Sequence, residues 1–256
     1  MQFFTLEVKG HIAWLTFDRP PANAMSYQTY SELAEAFDVI DADDMVFVTI
    51  IKANGRFFSA GNDVKELNDL PVLGPQDRPY AENVEYGLTA IIRSAKPVIC
   101  LVQGLAGGSG FCIPSYSDIV LATPEASFGI PEISRGIIGG APEASFSLPP
   151  KVVRYLALTG SFLSAEDAEK YGFVLKVVPK EDLIAEGEKI ANEILKNPPL
   201  SVRFMKESLA NIYPPSQIAD LIAGDEGRNE AALKTEDFIE SVHAFVEKRP
   251  PQYKGR

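Results

Sequence analysis

Residues 102–118 read VQGLAGGSGFCIPSYSD, with four glycines between Gly104 and Gly110. The apolar stretch 97–102 before this run predicts a buried strand, and 118–122 after it predicts another. Glycine backbone between two strands can approach a ligand closely and leave N–H groups pointing outwards. A helix opened by such a turn adds free N–H donors and the positive end of its dipole. Other glycine-rich fingerprints do not fit. A dinucleotide site requires G-x-G-x-x-G, and Ile113 stands where the third glycine belongs. A nucleophile elbow requires G-x-S-x-G, and Phe111 follows two residues after Ser109. There is no Walker A sequence. Taken singly, each glycine is as well explained by a tight turn that packs a helix on a strand.

Working outward, Phe4, Leu6 and Val8 alternate with polar residues, and Ala13, Leu15 and Phe17 do so after Gly10. That period of two predicts a pair of strands. Ser26 is a helix cap for a stretch whose apolar residues Tyr30, Leu33, Phe37 and Ile40 recur at helical spacing. Residues 46–51 form a short apolar strand and 57–63 a glycine-containing loop. The proline-bearing stretch 70–79 precedes a helix over 81–94. Ser164 with Asp167 resembles a capping box, 181–196 is a helix with a charged face, and three helical stretches follow Pro198 and Pro199, the last begun by Thr235. Strands and helices alternate over three quarters of the chain and the last quarter is helical. The expectation is an α/β core, residues 1–197, with a C-terminal helical subdomain, residues 198–256.

With 256 residues, 46% hydrophobic and 23% charged, the chain has the composition of a folded globular protein. Its net charge of −11 excludes a general nucleic-acid surface, so an anionic ligand needs local cations and backbone N–H groups. Cys100 and Cys112 form neither a CxxC pair nor part of a zinc pattern, and their scarcity suits a reducing compartment. The first residues alternate like a strand, not like a targeting leader. No apolar run reaches the roughly 20 residues that a membrane span needs. The expectation is a cytoplasmic protein without metal, membrane or nucleic-acid partners.

Three segments carry the chemistry: FFSAGNDVKEL at 57–67, the glycine-rich run at 102–118, and ASFGIPEISRGI at 126–137. Their order and spacing resemble enoyl-CoA hydratases of the crotonase superfamily. So do RPPANAMS at 19–26 and TEDFIESVHAFVEKRPPQYKG at 235–255. The resemblance spans nearly the whole chain and implies a crotonase-like spiral of ββα units whose C-terminal helices build a homotrimer or a hexamer (a dimer of trimers). It implies an acyl-coenzyme A thioester as substrate, with coenzyme A part of the substrate and no separate cofactor. By the family pattern, the backbone N–H groups of Asn62 and Ser109 form an oxyanion hole. Ser stands at 109 where the family usually has Gly, and its amide can serve if its torsion angles permit. Ser59 and Ala60 meet the adenine with their backbone, and Lys65 approaches the phosphates. Phe245 and Lys248 of a neighbouring subunit complete the site.

Family hydratases hold the attacking water between two glutamates spaced 20 residues apart. Glu132 matches the later position, and the earlier one is Cys112 here. A thiol is mostly neutral at pH 7 and a weak hydrogen-bond partner for water. Two-carboxylate hydration is therefore in question, whereas one base and a stabilised enolate suffice for isomerisation. Cys112 reads as a small buried hydrophobe, since no His lies near it in sequence. Glu143, in GGAPEAS, is either a second acid/base facing the acyl pocket or a solvated helix residue, and the solvated reading is the default for a lone charge. Asp63 and Asp118 read as loop braces, and His11 and His243 as structural or exposed. Other reactions of the superfamily stay open: hydratase-lyase, decarboxylase or CoA thioesterase. So does a catalytically weak acyl-CoA-binding protein.

Overall fold

The computed structural model describes residues 1–69, 77–212, 214–247 and 249–256, the side chains of 67–69, 215, 219, 226, 245 and 246 excepted. Most of the proline-bearing stretch 70–79 thus lies outside the described residues.

β1 (Phe4–Lys9) and β2 (Ile12–Phe17) form the antiparallel hairpin that opens a six-stranded sheet. β3 (Val48–Ala53), β4 (Val98–Val102), β6 (Ile119–Ala122) and β9 (Lys176–Val177) add to β2 in parallel, in the order β1-β2-β3-β4-β6-β9. The strand read over 46–51 is shifted two residues towards the C-terminus. β4 is apolar throughout, and β3 is buried without alternation from Val48 to Ile51, because both faces of the sheet are covered. Leu15, Phe17, Ile51, Cys100 and Val102 enter the core under α1 (Tyr27–Ala42) and α3 (Tyr80–Arg93). Their neighbours Trp14, Ile50, Ile99 and Leu101 pack on the opposite face with Leu183 and Ala191 of α8 (Leu183–Leu195).

α1 starts where its cap says: Ser26 Oγ accepts the Thr29 N–H, and Thr29 Oγ1 accepts the Ser26 N–H. On its buried side, Glu32 accepts the N–H groups of Gln2, Phe3 and Phe4, which ties down the first strand. Burial works to raise the Glu32 pKa, yet these bonds hold it below the ordinary range. α3 crosses α1 at Gly87, where a Cβ would lie 2.5 Å from the Tyr30 carbonyl oxygen. That close crossing fixes the depth of Tyr30.

A second, three-stranded sheet of β5 (Leu105–Gly107), β7 (Ser127–Gly129) and β8 (Phe162–Ser164) stands at the end of β4. Between β5 and β6 lies α4 (Ser109–Tyr116); α2 (Val64–Asp69) follows the loop after β3. A 3-10 helix, Pro131–Arg135, leads to α5 (Ala141–Ser145), α6 (Pro150–Thr159) and, past β8, α7 (Ala165–Lys170). At α7 only the cap bond of the expected box forms, from the Asp167 N–H to Ser164 Oγ.

After α8 come α9 (Pro199–Ile212), α10 (Pro215–Leu233) and α11 (Glu236–Glu247). They return to the body of the molecule through polar anchors. Lys206, 8% exposed, donates to the Lys96 carbonyl and to Asp118 Oδ2, which also accepts the Val98 N–H. Asn229 accepts the Ile138 N–H, and Ser241 donates to the Arg135 carbonyl. Among the described residues no helix is long and apolar enough to cross a membrane.

Candidate active site

Two turns meet at the top of the sheet. The loop after β3 runs alongside β5, with the Ser59 N–H on Leu105 O and the Gly107 N–H on Ser59 O. Ser59 is fully buried, and its hydroxyl donates to Asn23 O while accepting the Gly61 N–H. This pairing drives Gly61, at φ 89°, onto the glycine turn: a Cβ there would lie 2.7 Å from Gly107 O and 3.4 Å from Gly108 Cα. Gly108, at φ 55°, has the same restriction from its other side. A Cβ on it would lie 2.7 Å from Glu132 Oε1 and 3.6 Å from Gly61 Cα. Only glycine fits at either point, because positive φ and absence of side chain are both required. Gly61, Gly108 and the Glu132 carboxylate thus converge.

The backbone donors sort themselves at this junction. The Met25 N–H bonds Gly61 O and the Asp63 N–H bonds Met25 O, so the flanking residues make the bridge and Asn62 directs its own N–H away from it. Gly107 and Gly108 spend their N–H groups on Ser59 O and Gly129 O. Among the described residues, neither the Asn62 N–H nor the Ser109 N–H has an acceptor. Ser109 is the first residue of α4 and the positive φ belongs to Gly108, so serine carries no backbone strain there. Its amide is one of the free donors of a helix N-terminus.

Asn62 is held by two phenols. Its Oδ1 accepts from Tyr30 at 2.5 Å and from Tyr80 at 3.3 Å, and the two rings meet edge to face. Burial, then the neighbouring Tyr80, pushes Tyr30 far above the ordinary phenol range, so it stays a donor. Asp63 braces the same loop, as expected. It accepts from Arg19 at 2.6 Å and from the Lys65 N–H at 3.0 Å. Burial is outweighed there, first by the Arg19 bond, and the carboxyl sits below its usual range.

Glu132 is the second residue of the 3-10 helix, which Pro131 starts and Gly136 ends in the left-handed region. Its Oε2 is sealed from solvent with no hydrogen-bond partner. Burial, and further the charge of Glu143, raises Glu132 to about 7, against opposing help from its own backbone N–H and Arg135.

A model of the enoyl-CoA hydratase/isomerase family matches residues 7–256. The chain belongs to this family. It is similar to the carnitinyl-CoA dehydratase of Escherichia coli O157:H7, 33% identical over 254 residues and covering 96% of each chain. The carnitinyl-CoA dehydratase of Citrobacter koseri is 34% identical over 258 residues, with the same coverage. An enoyl-CoA hydratase/isomerase from Pseudoalteromonas atlantica T6c superposes with a TM-score of 0.87 at 26% identity, over 98% of this chain and 100% of that one. Carnitinyl-CoA hydratase from Mycobacterium avium superposes with a TM-score of 0.83 at 31% identity over the whole of both. The crotonase fold and an enzyme of the hydratase/isomerase type follow.

Cys112 and Glu143 lie on α4 and α5, two helices packed against each other. Cys112, 2% exposed, is one turn into α4, its Sγ 3.9 Å from Gly108 O. Burial, then the charges of Glu143 and Glu132, pushes its thiol far up, so it remains neutral. Glu143 departs from the solvated default: its Oε2 is sealed and unpartnered, and burial, then the charge of Asp225, raises its pKa. The sequence reading failed because α5 is anchored on α4 and faces inward. Tyr30 and Tyr80 were missed. Tyr30 reads as one more apolar residue of a helical stripe, and Tyr80 follows the proline-bearing stretch; no motif marks either.

The coenzyme-binding candidates divide. Ala60 and Lys65 are exposed beside the site, and the Ala60 N–H is taken by Ala22 O. Ser59 is fully buried with its N–H and carbonyl both spent on the strand beside it, so, against the expectation, it offers no backbone group to an adenine. Lys248 and the side chain of Phe245 lie outside the described residues. On the same helix, Phe238 packs against Gly136 while Val242 is exposed. His11 bonds Met45 O and stacks on Phe47, and His243 is exposed.

Proposed function

We propose that the chain binds an acyl-CoA thioester with its carbonyl oxygen between the Asn62 and Ser109 amides, and that Glu132 moves a proton at the adjacent carbon. The observation that carries this is the triple approach of Gly61, Gly108 and Glu132 Oε1, with two unused amides on the flanking residues. Negative charge developing on the oxygen meets fixed donors in a water-poor site, and losing one such donor typically costs ~10²–10³ in rate. A carboxylate with a pKa of about 7 is suited to take and return a proton near neutrality. The relatives named carnitinyl-CoA dehydratase support the hydration–dehydration branch over C–C cleavage or thioester hydrolysis.

Glu132→Gln tests this. Loss of turnover on every accepted acyl-CoA ester is expected, and unchanged turnover would end the reading. Cys112 favours one rival, a protein that keeps the CoA pocket with little catalysis. Calorimetry showing binding without turnover over enoyl-, β-hydroxy- and malonyl-type thioesters would establish that rival. The assembly belongs to the same proposal: a trimer, or two trimers back to back, in which the partner subunit's Phe245 and Lys248 complete the coenzyme site.

A further inference from the structure

Two carboxylate oxygens are sealed without a partner, Glu132 Oε2 and Glu143 Oε2. Burying a carboxyl oxygen with no hydrogen bond is costly, so each of the two is suited to bond a polar group of a ligand. The position of Glu143 is not accidental. Ser115 Oγ donates to its carbonyl at 2.7 Å and bonds Ser147 Oγ at 2.7 Å. Pro142 and Ala144 on either side are buried, and the preceding turn is pressed on Ile130, 2.7 Å from where a Gly140 Cβ would be. Ser115 lies three residues after Cys112 on α4, hence on the same helix face. Glu143 therefore sits on an element packed against the helix that carries Cys112. The charges of both glutamates act on that thiol, and the charge of Glu143 acts on Glu132 and Tyr116.

We infer that Glu143 is a second catalytic acid, bonding the hydroxyl at the β carbon while Glu132 works at the α carbon, so that the reaction is the reversible dehydration of a β-hydroxyacyl-CoA. This rests on the reading of Glu132 and the two amides given above. In the dehydration direction, ionised Glu132 takes the α proton and the C–H electron pair moves onto the thioester as an enolate. The pair then returns to form the Cα–Cβ double bond as the Cβ–O bond breaks. The departing oxygen keeps that bonding pair, takes the proton of Glu143 and leaves as water. Glu132 ends protonated and Glu143 ionised, and one proton exchanged through solvent resets them. The charge of an ionised Glu143 disfavours ionisation of Glu132, so Glu132 is a ready base while Glu143 holds its proton. Cys112 cannot replace either, as a neutral thiol is a poor proton donor to an alkoxide-like oxygen.

The test separates the two carbons. Wild type and Glu143→Gln are compared for dehydration of a panel of short β-hydroxyacyl-CoA esters, including 3-hydroxybutanoyl-CoA, and for deuterium uptake at the α carbon of butanoyl-CoA in heavy water. In Glu143→Gln, dehydration should fall ~10²–10⁴-fold while α exchange stays within about threefold of wild type. Glu132→Gln should lose both. Dehydration by Glu143→Gln within about threefold of wild type overturns the inference, as does a wild type that exchanges α protons but dehydrates none of the panel. Exchange surviving in Glu132→Gln overturns the underlying reading instead. If Glu143→Gln does not fold, Glu143→Asp, which withdraws the acid by one methylene, is read by the same ratio of dehydration to exchange.

Discussion

Glu132 places one carboxylate oxygen against Gly108 and keeps the other away from water, and this environment has a thermodynamic consequence. Its pKa of about 7 lies above the 4.5 of an ordinary glutamate. The folded state therefore holds the proton more tightly than the unfolded chain. The residue's contribution to stability is fully present below about pH 4.5 and is lost as pH rises through about 7. Glutamine keeps the shape and does not titrate. Glu132→Gln is thus expected to unfold like wild type near pH 4.5 and to be more stable by about 2–3 kcal/mol near pH 8. The charged groups acting on this titration are Glu143 and Arg135. Urea midpoints at the two pH values check it, and an equal or opposite difference at pH 8 would show the carboxylate to be solvated. Turnover of wild type should fall along an acid limb centred near about 7, since the base must be ionised.

The loop after β3 and the turn before α4 belong to different ββα units, and the site exists because glycines let them touch. Gly61→Ala would set a methyl 2.7 Å from Gly107 O at a φ of 89°. The two turns must move apart, taking the Asn62 amide with them. Gly172, at φ 79° after α7, has nothing within 4 Å of such a methyl. Gly172→Ala therefore incurs the backbone strain alone. Gly172→Ala should lose about 1–2 kcal/mol of stability and Gly61→Ala more than that, and only Gly61→Ala should lose ~10²–10³ in turnover. Equal retention of activity would mean that the approach of the turns has no part in catalysis. Sequence reasoning found this junction because glycine spacing is a property of backbone, which a motif records. It could not find the phenols on Asn62. An aromatic residue in a helical apolar stripe has the same pattern whether its hydroxyl is idle or bonded, and the crossing at Gly87 that sets the depth of Tyr30 is a long-range contact. Glu143 was misread for a related reason: its inward aim depends on the Ser115 bond between α4 and α5.

The whole chain offers α9 to something outside it. Leu200, Phe204, Met205, Leu209 and Ile212 recur along this helix and are all exposed, Phe204 and Met205 at 63% each. An apolar stripe of that size on a chain of net charge −11 is the surface we assign to the subunit contact of the proposed assembly. Light scattering should give three or six times the 27.9 kDa of one chain. The double variant Phe204→Asp, Met205→Asp should give single chains with CoA affinity weakened at least about tenfold, as loss of one or two good contacts from the partner would cause. A wild-type protein that runs as a monomer with full affinity contradicts this assembly. The order of strands and helices, the hairpin at the start and the helical last quarter were legible from periodicity. The second sheet was not, because β5, β7 and β8 have three residues each, too few for a period to register.

The crystal structure of the protein with a bound saturated acyl-CoA places the thioester directly. The expected result is a carbonyl oxygen about 3 Å from both the Asn62 and the Ser109 nitrogen, with the Glu132 carboxylate over the α carbon. A thioester oxygen bonded to neither amide, or a Glu132 side chain turned away from the acyl group, would contradict it.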